Sequence, residues 1–213
     1  MKFYLILVLI LLLKYQNSSA QVFTTGVIFG TSATQVEGDG YAGYDKLGLI
    51  VGGFTSAKIA KNWSAQFEIY YIGKGSKKNA KPSKGIYHSF KLSLNYIEIP
   101  VALRFHYKKF IFETGLYNRN YTKLIFHFII KKDEFGVIPV VNYPIKKYDF
   151  GGFIGFSYQL NDHISFNFRS KNSLIPFRNF ENFDQNIGIF NKLLNRGWYN
   201  VDLNLTARYQ FGT

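Results

Sequence analysis

The chain contains no cysteine, which excludes a disulfide framework, a thiolate metal site, a cysteine nucleophile and a lipid-modified N-terminal cysteine. Any membrane anchor is therefore non-covalent. Acidic residues are scarce, 13 against 26 basic ones, for a formal charge of +13. Past residue 20 no apolar run approaches the ~20 residues that a spanning helix needs, so a helical membrane protein is excluded. What the chain does have is aromatic: 22 Phe, 16 Tyr and 2 Trp make up 19% of its 213 residues, beside 19 Gly and 5 Pro. That composition excludes disorder, and the length leaves room for one domain.

Lys2 precedes an unbroken apolar run from Phe3 to Leu13, and a polar stretch then ends in Ser18-Ser19-Ala20. As a helix this run rises only about 16 Å, too short for a hydrocarbon core of about 30 Å. Residues 1–20 therefore read as a signal peptide cleaved after Ala20, and residues 21–213 as the mature domain.

From Gln21 onward the recurring period is two, the mark of strands. Between Trp198 and Phe211 the odd positions Tyr199, Val201, Leu203, Leu205, Ala207, Tyr209 and Phe211 alternate with Asn200, Asp202, Asn204, Thr206, Arg208 and Gln210. A strand sends these two sets to opposite faces. Segments 63–72 and 164–171 alternate in the same way, and 22–34, 46–58, 88–106, 110–125 and 147–160 do so less cleanly. In 88–106 the apolar parity changes from Phe90, Leu92 and Leu94 to Ile97, Ile99, Val101, Leu103 and Phe105, which predicts a bulge near Tyr96. The spacers alternate too. Residues 60–62, 107–109 and 161–163 are tight, whereas about 35–45, 73–87, 126–146 and 172–197 are long and polar.

Eight strands with short connections at one end and long ones at the other predict an all-β fold: an eight-stranded antiparallel up-and-down transmembrane β-barrel with short periplasmic turns and long extracellular loops. A soluble lipocalin-like carrier would alternate equally well but would carry Lys and Glu on its polar face. Here that face holds small residues such as Gly26, Gly30, Ser32, Gly48, Gly52, Gly151, Gly155 and Ser157, which suit a crowded interior. Trp63, Phe105, Tyr107, Phe110, Tyr158, Phe166, Tyr209 and Phe211 gather near the tight turns as an aromatic girdle at one membrane interface. Outer-membrane lipid is the implied surrounding, on a Gram-negative cell.

Strand Glu68-Ile69-Tyr70-Tyr71-Ile72 with its continuation Gly73-Lys74-Gly75, then Asn95-Tyr96-Ile97-Glu98-Ile99-Pro100, the Gly-bearing segments at Gly26/Gly30 and Gly48/Gly52, and the closing Tyr209-Gln210-Phe211 resemble the PorT-like outer-membrane β-barrel family of the Bacteroidota. The resemblance covers essentially the whole mature chain. It implies an eight-stranded outer-membrane barrel, and it suggests partners among secretion or envelope proteins, since some relatives are associated with type IX secretion.

The alternation sends Glu68, Glu98, Glu113, Asp149 and Asp202 into the lumen together with Arg104, Arg169 and Arg208. Unpaired charges in so narrow a space would each cost several kcal/mol, so mutual pairing into a structural plug is expected rather than an ion path. The 73–91 segment carries Lys74, Lys77, Lys78, Lys81, Lys84 and Lys91 with no acid, a field suited to lipopolysaccharide phosphates; no nucleic-acid motif accompanies it. An enzyme alternative, a lipid-modifying barrel with Ser, His and a carboxylate, has four histidines to draw on. His106 and His163 fall near tight turns, while His88 and His127 fall at the outer end without a partnered serine motif. The histidines are too scattered for a metal site. The sequence therefore reads as a non-enzymatic, monomeric surface barrel with no cofactor and a structural, surface-interaction or secretion-accessory role.

Overall fold

The computed structural model describes residues 23–38, 43–80, 82–84, 89–121, 129–133, 136–139, 146–179 and 197–211. The signal-peptide segment, Lys81, His88 and His127 lie outside the described residues. Eleven strands form in chain order: β1 (Phe23–Glu37), β2 (Lys46–Ala60), β3 (Trp63–Lys78), β4 (Ser89–Tyr107), β5 (Phe110–Tyr121), β6 (Ile129–Asp133), β7 (Gly136–Pro139), β8 (Tyr148–Gln159), β9 (Ile164–Ser173), β10 (Arg178–Asn179) and β11 (Gly197–Phe211). Eight of them, β1–β5, β8, β9 and β11, pair antiparallel in a ring that closes where β1 meets β11 and β3 meets β4.

The closed ring satisfies every ladder without leaving an edge, the condition for a sheet to cross hydrocarbon. At ~3.3 Å per residue and a tilt of ~40°, a strand as long as the 12-residue β8 reaches about 30 Å along the membrane normal, enough to cross an apolar band of ~25 Å. Outward positions carry that band: Phe67, Ile69, Phe166, Phe168 and Leu205 are exposed and Leu203 is half-buried, whereas Gln66, Glu68, Asn167, Arg169, Asp202 and Asn204 are buried in the interior. At the short-turn end, which faces the periplasm in this class of barrel, Trp63 packs at a tilt against Phe105 at 5.0 Å and Phe110 against Tyr158 at 5.4 Å, while Tyr209 meets Phe211 edge-on at 5.6 Å.

Three sequence expectations are corrected. No bulge occurs near Tyr96, because β4 keeps one register against β3 from Phe90 to Phe105 and against β5 from Tyr96 to Tyr107. Leu92, Leu94 and Tyr96 point inward on the same parity as Glu98 and Arg104, and join Ile28, Ile50, Tyr70, Ile72, Val36 and Phe177 in an apolar lining along the β1–β4 wall. The apolar set changes face while the strand runs on unbroken. The 126–146 spacer, read as loop, contains the β6–β7 hairpin, which extends the sheet beside the outer end of β4 through Ser89–Leu92. Finally, β3 continues to Lys78 where the polar spacer was expected to begin at 73, with Gly75 in the positive-φ region at 135°.

Candidate functional site

The interior is filled by two layers of ionised side chains. The layer nearer the turns is built from Glu68 on β3, Arg104 on β4, Glu113 on β5, Arg169 on β9 and Arg208 on β11. Arg169 grips Glu68 bidentately, with Nη1 donating to Oε2 and Nη2 to Oε1, each at 2.6 Å, while its Nε donates to Glu113. Arg208 reaches Glu68 at 3.2 Å and Glu113 at 3.5 Å, and Arg104 stands 3.4 Å from Glu113. Asn167 donates to Glu113 at 2.7 Å, and Gln66 donates to Glu68 and accepts from Arg104. Planar guanidinium forks suit such shared carboxylates better than ammonium groups would.

The outer layer balances three cations against three carboxylates. Arg119 donates to Glu98, to Asp149 at 2.8 Å and to Asp202 at 3.1 Å, with its guanidinium 3.7 Å over the Tyr117 ring. Lys74 donates to Asp202 and lies 3.4 Å from Glu98; Lys171 donates to Glu98 and to the Tyr70 hydroxyl. Ser173 and Asn200 also donate to Asp149 Oδ2, at 3.0 and 2.8 Å. Phe153 lies between the layers, 4.5 Å from the Arg169 guanidinium and 5.3 Å from the Lys171 ammonium.

All eight charged residues assigned to the lumen by alternation lie inside, and three more join them: Arg119, Lys171 and Lys74. Lys74 corrects the loop assignment. It is wholly buried and bonded to Asp202, because β3 carries it inward on the parity of Glu68 and Tyr70, so it has no access to lipid phosphate. Arg119 shares the parity of Glu113, Gly115 and Tyr117, which is the signal that would have found it. The remaining lysines stay at the outer end: Lys77 pairs across from Lys91 at the β3–β4 rim, Lys78 ends β3, and Lys84 closes the short 3-10 turn Pro82–Lys84. Lys46 on β2 stands within electrostatic reach of Lys77 and Lys91.

At the turn end the lower layer opens onto a cavity of about 370 Å³. There Ser64 and His106 share a 2.7 Å hydrogen bond, a pairing that sequence reading missed because β3 and β4 bring it together from 42 residues apart. The charges acting on His106 are those of Arg104 and Lys58, and among the described residues no carboxylate is hydrogen-bonded to the pair as the orienting member of a nucleophilic triad. Among the described residues no group of three or more metal-binding side chains converges.

A closed eight-stranded sheet, apolar outside and ionised within, is an outer-membrane β-barrel. Residues 15–179 match the family described as the outer membrane protein beta-barrel domain, and the chain belongs to that family. No curated protein matches the sequence. Similar solved structures include Ail, the attachment invasion locus protein of Yersinia pestis, in complex with the heparin analogue sucrose octasulfate (9% identity, 89% of this chain and 99% of that one, TM-score 0.43). Others are Neisserial surface protein A (10% identity, 89% and 96%, TM-score 0.42) and OprG of Pseudomonas aeruginosa (12% identity, 90% and 96%, TM-score 0.40).

Proposed function

We propose that the protein is a non-enzymatic outer-membrane barrel of the PorT-like kind, sealed by its interior and acting through its ends as a structural, surface-interaction or secretion-accessory component. The observation that carries this reading is the pair of ionic layers that occupies the interior, whose side chains are at most 8% exposed. A triad-type enzyme is disfavoured because the Ser64–His106 pair faces cations. Reconstituted in a planar bilayer, the mature chain, cleaved after Ala20, conducts no steady current; a stable porin-like conductance overturns the reading. A deletion strain assayed for surface-protein export and envelope integrity separates the accessory role from a purely structural one.

The lysines of the outer rim support a second element of this role. Lys77, Lys78 and Lys91, with Lys46 beside them and Lys81 and Lys84 in the following segment, would attract lipopolysaccharide phosphates through charge rather than through a shaped pocket. Glutamine at Lys77, Lys78 and Lys91 weakens binding to purified lipopolysaccharide, and raising the salt weakens the wild-type contact. Equal, salt-indifferent binding by both proteins refutes this element.

A further inference from the structure

The two ionic layers are not alike. Among the described residues the outer one is balanced, three cations to three carboxylates, whereas the one beside the turns sets the guanidiniums of Arg104, Arg169 and Arg208 against only Glu68 and Glu113. One positive charge is left over among side chains at most 8% exposed, where an uncompensated ion is expensive. Arg104 and Arg208 line the 370 Å³ cavity at the turn-end mouth. Neither guanidinium is saturated: Nε of Arg104 and Nη1 of Arg208 only face Glu113 Oε2, at 3.4 and 3.5 Å without a hydrogen bond, and Nε of Arg208 has no hydrogen-bond partner among the described residues. Further out the same cavity is lined by Lys58, Lys61 and His106, and its one carboxylate among the described residues is Asp162.

We propose that this mouth is a binding site for a phosphate-bearing anion presented from the periplasmic side. The charge supplied by the anion completes the lower layer, with Arg104 and Arg208 at the floor and Lys58, Lys61 and His106 around the entrance. A cavity of this size admits a phosphate group and the first atoms attached to it, and the two lysines at the mouth draw in anions. Trp63 of the aromatic girdle lines the same cavity and packs against Phe105, so the phosphate can arrive either on a soluble molecule or on the headgroup of an inner-leaflet lipid.

The test is calorimetric titration of the refolded barrel in a zwitterionic detergent at fixed ionic strength, with inorganic phosphate and pyrophosphate as soluble probes. Short-chain phosphatidylglycerol, against phosphatidylcholine, serves as the lipid probe. Saturable binding is expected, at least tenfold weaker in Arg104→Gln and in the triple variant Lys58→Gln/Lys61→Gln/His106→Gln. The triple variant alters only the entrance, so it decides the matter even if Arg104→Gln fails to fold. Saturation by phosphate or pyrophosphate identifies a soluble ligand class, and saturation by phosphatidylglycerol alone identifies a headgroup. Absence of saturation by any probe, or equal affinity in the triple variant, overturns the proposal.

Discussion

Replacing Glu98 by Gln tests the balance of the outer ionic layer. Glu98 accepts from Arg119, Lys171 and Tyr70 and lies 3.4 Å from Lys74, with no exposed surface. The substitution keeps the shape but leaves Lys74, Arg119 and Lys171 facing only Asp149 and Asp202. Removing one member of a buried ion pair costs about 3–5 kcal/mol. The new amide can still accept the Tyr70 hydroxyl, returning about 1 kcal/mol, so the expected loss is about 2–4 kcal/mol. Adding Lys171→Met removes the stranded cation, and the double variant should recover most of that loss through a coupling of the size seen for groups sharing one network. The assay is urea unfolding in lipid vesicles, followed by the fluorescence of Trp63 and Trp198, which report from opposite ends of the barrel. A Glu98→Gln barrel within about 0.5 kcal/mol of wild type, or a double variant that merely sums the two single losses, would refute the argument.

On the lipid face, Leu205→Arg is expected to cost about 2–4 kcal/mol in the same assay, because Leu205 is 56% exposed on the outward side of β11. In the interior, Gly151→Ala should lower stability by about 1–3 kcal/mol, since a Cβ there would lie 2.0 Å from the Tyr117 hydroxyl and 2.3 Å from the Asn172 carbonyl oxygen. Tyr117→Phe removes the hydroxyl but leaves the ring carbon Cζ and the Asn172 carbonyl against the new Cβ, so it should rescue Gly151→Ala only in small part. Deleting residues 129–139, the β6–β7 hairpin, should leave the heat-resistant folded form intact, because that hairpin joins the sheet only beyond the ring.

The bilayer made most of the fold legible in the sequence. Where a strand has lipid on one side and the lumen on the other, as from Trp63 to Ile72 or from Leu203 to Phe211, its two faces differ and the period of two stands out. The signal fades where strands rise into water. Lys74, Lys77 and Lys78 on β3 and Asn118-Arg119-Asn120 on β5 are polar on both faces, so Lys74 passed for loop and Arg119 can be placed only by carrying the parity of Glu113 outward, whereas Lys171 stands on the polar side of the 164–171 alternation beside Arg169. The bulge inferred near Tyr96 had a different source, the assumption that the lumen is polar throughout. Leu92 and Leu94 are apolar and inside because neighbours such as Ile72 and Phe177 line that stretch of wall. Alternation likewise groups charges by face but carries no information about height, so the division into an unbalanced inner layer and a balanced outer one became visible only in three dimensions.

The seam between β1 and β11, running from Thr25 opposite Phe211 to Glu37 opposite Tyr199, makes the barrel cooperative. It joins strands ~160–190 residues apart, a closure that costs several kcal/mol of chain entropy before any ladder bond repays it. Until the seam forms, the sheet has two bare edges, and each unpaired amide or carbonyl on them is untenable in hydrocarbon. Insertion and closure must therefore proceed together. The chain has no stable half-built form within the bilayer, and a fault in any one strand is felt by the whole ring.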